Sequence, residues 1–250
     1  MAGRLRRTIY RNEWKYYIAL WEGQLLKNRL LPFMEVDKYA GNGQYTIRSL
    51  YFDDYWNSAY EEKIMGVEGR KKWRIRIYDF SDSVIKLERK KKSGNYIHKD
   101  SAPLAKEEYE QIMRGEYEFL LHSRYPLCRE FYYECMVNLH RPKVMVDYER
   151  VPLIFGTGDV RITFDKNVRA GAFTYDLFDP NLPMTEILEP DTLVLEVKFT
   201  EMIPEVIKEL LPLDGQQFSA ISKYTLCYEK VFYRTDVTAD IGKSNRRGRR

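Results

Sequence analysis

The feature that most constrains this chain is a strict alternation of charged and bulky apolar residues, repeated in window after window. In KKWRIRIYDF, Lys72, Arg74, Arg76 and Tyr78 fall on one side, and Trp73, Ile75, Ile77 and Phe80 on the other. A period of two is the signature of a strand, whose successive side chains point to opposite faces. VIKLERKKK repeats it, with Lys86, Glu88 and Lys90 against Ile85 and Leu87. DVRITFDK sets Arg161, Thr163 and Asp165 against Val160, Ile162 and Phe164. LVLEVKF sets Val194, Glu196 and Lys198 against Leu193, Leu195, Val197 and Phe199. In RNEWKY, Arg11, Glu13 and Lys15 lie together, and in KVMVDYERV so do Val144, Val146, Tyr148 and Arg150.

These patterns predict strands over roughly 6–14, 45–53, 71–79, 83–91, 95–100, 143–151, 159–165 and 192–200. Helices are expected over 16–31, 55–65, 103–114 and 204–211, and over 219–232 with a short strand at its end. Strands close together in sequence favour an α+β domain with a largely antiparallel sheet. About eight strands suffice to close a barrel, which removes the sheet edges. Polar alternation is also what any half-exposed antiparallel sheet shows. Here, however, the charged faces are rich in Arg and Lys with carboxylates set singly between them, and the opposite faces suit a cover of amphipathic helices. The expectation is a closed antiparallel tunnel flanked by helices, with the charge inside. Converging cations repel in a medium of reduced dielectric and call for an anionic ligand. A chain of phosphates with a divalent cation meets that need, since Arg forks match phosphate oxygens and Lys supplies point charges.

Other classes recede. The 250 residues carry 41 Lys and Arg against 37 Asp and Glu, with 44% hydrophobic residues, which is globular rather than disordered or low-complexity. Three cysteines, Cys128, Cys135 and Cys227, form no CxxC pair, which fits reduced thiols in a cytoplasmic protein. The three histidines show neither HExxH spacing nor a triad signature. No apolar run is long enough for a transmembrane helix, and the start of the chain has no secretory h-region. Residues 235–250, ending in RRGRR, read as a disordered basic tail after a domain over 1–234. The tail suits polyanions in general, and no motif for specific nucleic-acid recognition accompanies it.

Taken in order, RNEWKY (11–16), SLYFDD (49–54), KWRIR (72–76), LERK (87–90), DYER (147–150), RITFD (161–165), LEVKF (195–199) and SKY (222–224) resemble the VTC-type polyphosphate polymerase domain, of the triphosphate tunnel metalloenzyme (CYTH-like) superfamily. The resemblance spans about residues 7–234 and looks like a stand-alone bacterial form. It implies a closed β tunnel that moves the γ-phosphate of ATP onto a growing polyphosphate chain with Mn²⁺ or Mg²⁺. It implies Lys15 as the tunnel lysine, Arg74 and Arg76 as the paired triphosphate arginines, and Lys90 and Lys99 as further tunnel lysines. Tyr148, Arg150 and Arg161 match the following strand positions, Glu196 the metal-binding carboxylate, and Ser222 with Lys223 a Ser-Lys pair on the last helix. Lys198 and Glu13 share the faces of these residues. Arg11 stands where the ExExK strand of the family's hydrolases has its first glutamate, which tilts away from two-metal hydrolysis. Neither an N-terminal sensing domain nor a membrane segment is seen, so a membrane-protein partner for the polymer would lie outside this chain. Two alternatives remain open: a triphosphate or polyphosphate hydrolase, and a module that binds polyphosphate without turning it over.

Overall fold

The computed structural model describes residues 12–94, 96–173, 175–200, 202–211 and 220–244, leaving aside the side chains of 96 and 234–244. The first strand, β1 (Asn12–Ala19), lies further along than the sequence suggests. The early part of the expected 6–14 strand lies outside the described residues. The alternation runs on through Tyr16 and Ile18, which bury, so the helix expected from 16 starts later, as α1 (Leu20–Leu30). Glu22 fixes that start by accepting the Ala19 amide at 2.9 Å.

A short β2 (Glu35–Val36), β3 (Tyr45–Asp53) and α2 (Ser58–Ile64) follow. The hairpin of β4 (Arg70–Tyr78) and β5 (Ser81–Ser93) turns on Asp79 and Phe80, with φ of 49° and 59°. Two left-handed residues make a turn whose twist suits the strands. Phe80 is therefore not on the apolar strand face assigned to it; its ring lies 4.3 Å from the Arg48 guanidinium. Asp79 Oδ1 accepts the Thr46 amide at 2.7 Å, which holds the turn against β3.

β6 (Tyr96–Leu104) takes in Pro103, opposite Lys86, so α3 (Lys106–Met113) starts later than the expected 103. α4 (Pro126–Met136) was not expected from the sequence; Pro126 opens it at a position where its missing N–H costs nothing. β7 (Arg141–Phe155), β8 (Val160–Gly171), a short β9 (Thr185–Glu186), β10 (Thr192–Phe199) and α5 (Glu205–Leu210) lead to α6 (Lys223–Ser244). Among the described residues the short strand expected after the start of α6 is not present. Its backbone stays helical to Ser244, well into the stretch read as a tail, and 245–250 lie outside the described residues.

The ten strands found among the described residues belong to one sheet, paired antiparallel in the order β1-β10-β8-β7-β3-β4-β5-β6, with β2 on β7 and β9 on β8. The fold is thus α+β, as expected. The expected closure of the barrel is corrected: among the described residues no backbone ladder joins β1 to β6. Side chains occupy that seam instead, with Lys90 of β5 donating to Glu13 of β1 at 3.0 Å.

The outer face carries two apolar layers. Trp73, Ile75, Ile77 and Leu87 pack under α3 and α4, with Tyr109 and Phe131 among their partners. Ile18, Ile162, Leu195 and Val197 pack with Leu26 and Leu30 of α1 and Ile207 of α5. On the inner face Tyr51, Val144, Val146 and Tyr148 meet Tyr60 of α2 and Tyr224, Cys227 and Tyr228 of α6. One end of the bore is therefore filled by α6. None of the described helices is long and apolar enough to cross a membrane.

Candidate active site

The inward positions of β1, β3, β4, β5, β7 and β10, with the start of α6, enclose a cavity of about 420 Å³. Its lining has eleven Lys or Arg side chains against two carboxylates, Glu13 and Glu196. Lys15, Arg74, Arg76, Lys90, Tyr148, Arg150, Glu196, Lys198, Ser222 and Lys223 all line it, so most of the residues singled out from the sequence converge here.

Strand register explains the convergence. Ser49 lies opposite Arg76 and Tyr51 opposite Arg74, on the same face of neighbouring strands. Arg76 Nε donates to Ser49 Oγ at 3.0 Å, and Arg74 Nη1 to the Tyr51 hydroxyl at 2.9 Å. Glu88, opposite Arg74 on β5, accepts Arg74 Nε at 2.8 Å. Arg76 Nη2 reaches across to the Tyr148 hydroxyl at 3.2 Å. Each guanidinium is thus anchored from behind, which pre-orients a fork for an anion. Burial pushes the Tyr148 phenol up, but Arg150, Arg76 and Lys223 outweigh it and bring the phenol below its usual value.

The opposite wall is built on Glu196. Lys223 Nζ donates to its Oε1 at 2.9 Å and Lys198 Nζ to its Oε2 at 2.6 Å, while Lys15 lies 3.4 Å and Arg150 3.3 Å away. Arg150 also forms a fork with Asp165, at 2.6 Å on both oxygens. Burial alone would raise the Glu196 carboxyl; Lys15, Lys198, Lys223 and Arg150 hold it well below the usual carboxylate range. Glu13 is opposed by burial in the same way, and Lys15, Lys90 and Lys198 drive it down too. Lys198 and Lys15 touch both carboxylates, which therefore sit side by side and ionised.

That pair bears on a divalent cation. No group of three or more His, Cys, Asp or Glu side chains suited to a metal occurs among the described residues. Mg²⁺ is commonly held by one or two carboxylates, its remaining oxygens coming from substrate phosphates and water. Glu196 and Glu13 fit that kind of site, and fit a self-sufficient protein cage poorly.

Two expected residues stand apart from the cavity lining. Lys99 is half-exposed and donates to Glu88 Oε1 at 3.1 Å, behind Arg74. Arg161 is bound to Asp37 and to the Tyr45 hydroxyl, both at 2.8 Å. Other lining residues escaped the sequence reading as site residues. Lys72, Arg70 and Lys92 continue the alternation of β4 and β5, and that continuation was the available signal. Lys63 comes from α2 and carried no such signal. Among these Lys72 is pushed well below the usual lysine range by burial, and by Lys63, Lys90, Lys15 and Arg70. Lys90 is lowered to about 8, by burial against the opposing pull of Glu13.

The sequence model described as "VTC domain" matches residues 10–232. No curated protein matches the chain. Among solved structures, the chain resembles HpAC1 from Hippeastrum, an adenylyl cyclase candidate described as having a dominant triphosphatase activity. That match has a TM-score of 0.52 and 16% identity, and covers 89% of this chain and 95% of the other. A candidate adenylate cyclase from Vibrio parahaemolyticus matches with a TM-score of 0.50 and 10% identity, over 88% of this chain and 98% of the other. At such identities the likeness concerns the fold alone. With the family match running from β1 into α6, and so across every strand that walls the cavity, the chain belongs to the VTC domain family.

Proposed function

We propose that this chain is a polyphosphate polymerase that transfers the γ-phosphate of ATP to a growing polyphosphate chain within its basic bore. Family and fold support a function on triphosphate or polyphosphate. The observation that carries the finer reading is the cavity wall, where anchored arginines and lysines outnumber two carboxylates. Phosphoryl transfer needs alignment and neutralisation of charge spread over the moving group, and little covalent help from protein.

Arg74 and Arg76 grip phosphate oxygens, and Arg150, whose Nε and Nη2 are taken by Asp165 and Glu196, adds positive charge with Lys90 and Lys198. Tyr148, held by Arg76, offers its hydroxyl from the wall. Lys15 and Lys223 flank Glu196 and stabilise the attacking and leaving oxygens. Lys99 and Arg161 act at one remove, on Glu88 and at Tyr45. Glu196 with Glu13 would hold Mn²⁺ or Mg²⁺, which supplies charge neutralisation across phosphate oxygens when bound. Ser222 presents its hydroxyl beside these groups. An acceptor phosphate is already nucleophilic, so elongation requires no strong base, in keeping with a cavity whose lining has no histidine.

The test is incubation of the protein with ATP and Mn²⁺, followed by sizing of phosphate polymer on a gel and assay of orthophosphate. Polymer is the expected product. Orthophosphate without polymer would replace this reading by a hydrolase on the same fold. A membrane-protein partner for the polymer and a cytoplasmic site of action remain proposals attached to this reading.

A further inference from the structure

At the head of α6 a hydroxyl faces the cavity with a lysine against it. Ser222 precedes the first helical residue, and its Oγ accepts the Thr225 amide at 3.4 Å, in the manner of an N-cap. Thr225 Oγ1 donates to the same oxygen at 3.0 Å. Lys72 Nζ lies 3.0 Å from it. Lys72 Nζ is the donor in that contact, and after losing a proton the same amine is placed to take one from Ser222.

An ordinary capping serine needs no such lysine, and this lysine is unusual. Among the described residues Lys72 has no ion-pair partner. Lys63 of α2, Lys15 of β1, Lys90 of β5 and Arg70 of its own strand face it instead, and α6 offers only Ser222 and the Tyr224 ring, 4.8 Å away. Burial and these four cations push the ammonium well below its usual range, which favours its giving up a proton beside the hydroxyl. A serine whose proton passes to an adjacent lysine is a recurring form of activated nucleophile.

We infer that Ser222 is the first phosphoryl acceptor of this protein, and that the phosphoserine formed there starts the polymer. The inference rests on the reading of the cavity as a triphosphate site. Ser222 Oγ attacks the γ-phosphorus of ATP; the Oγ–P bond forms, and the bond from γ-phosphorus to the bridging oxygen breaks. ADP leaves with the electron pair, and the hydroxyl proton passes to Lys72 Nζ. A phosphoryl oxygen on Ser222 then attacks a second γ-phosphorus, again releasing ADP. The product is well housed. It sits at the N-terminus of a 22-residue helix, where negative charge is favoured. Lys223 is adjacent, Lys72 is in contact, and Lys15 donates to the Ile221 carbonyl at 3.1 Å.

The experiment incubates the full chain with ATP and Mn²⁺, without added polyphosphate, and maps the Ser222 peptide by mass spectrometry while polymer is sized in parallel. The expected result is an acid-stable, alkali-labile phosphate on Ser222, with a ladder of further phosphates at early times. Ser222→Thr keeps the modification. Lys72→Arg, which keeps the charge but cannot lose its proton, reduces it at least tenfold and removes its rise with pH. Polymer accumulating while the Ser222 peptide stays bare overturns the inference and leaves the polymerase reading standing. A bare peptide with orthophosphate as sole product, or with ATP untouched, overturns both. Phosphorylation unaltered in Lys72→Arg overturns the role of Lys72.

Discussion

At the scale of single residues, the site works by anchoring cations from behind. Arg74 is held by Glu88 and Tyr51, so its fork is already aimed before an anion arrives. Arg74→Ala is expected to lower turnover about a thousandfold, the scale typical of phosphate-gripping arginines. Steady-state assays of polymer and orthophosphate would measure this, and wild-type output from the variant would remove Arg74 from the grip. Lys90 gives a pH prediction. Its folded value, about 8, lies below the unfolded one, so between these values the folded chain binds fewer protons and stability rises with pH. An anion beside Lys90 reverses that depression, so binding takes up a proton near pH 8. Calorimetry of tripolyphosphate binding in two buffers of different ionisation heat should give more proton uptake for wild type than for Lys90→Arg. Equal uptake would place Lys90 away from the bound phosphates.

At the scale of elements, α2 and α6 are tied to the sheet through one carboxylate. Asp53, at the end of β3, accepts the Ala59 amide at 2.9 Å and the Tyr60 amide at 3.2 Å from the start of α2. It also accepts the Tyr224 hydroxyl of α6 at 2.6 Å. Asp53→Ala is expected to cost about 3 kcal/mol, by loss of the cap and of buried hydrogen bonds. Urea unfolding would check it, and a loss under about 1 kcal/mol would contradict the capping role. How far the elements could be read in advance follows from their physics. Arg74 and Arg76 were legible as sharing a face from alternation within their strand, while the resemblance was needed to join them with Arg150 and Glu196. The start of β1 was not, because WKYYIAL suits either a strand or an apolar helix, and only burial of Tyr16 and Ile18 against Leu26 and Leu30 decides it. Helix α4 hid because its buried face, Leu127, Phe131 and Cys135, is defined by Trp73 and Phe52 on distant strands. Lys72 could have been read from the same alternation, whereas Lys63 joins the site only because α2 packs against the sheet, a tertiary fact with no local signal.

At the scale of the whole molecule, a chain of modest formal charge, +4, concentrates its cations in one bore. Empty, that bore repels itself; filled with polyanion, it does not. Tripolyphosphate is therefore expected to raise the thermal midpoint by several degrees at low salt, and the gain should shrink as ionic strength rises. Scanning calorimetry at two salt concentrations would check this, and a salt-independent shift would point to binding outside the charged cavity. Anions of this kind meet a wall that is a single ribbon: among the described residues no backbone ladder joins its margins, β1 and β6, and Lys90 of β5 reaches Glu13 of β1 across the gap. A slit ring differs from a whole one in what it demands of a long thread. Among the described residues, no backbone hydrogen bond between the two marginal strands would have to break for a filament to be laid in from the side, with no free end to be found first.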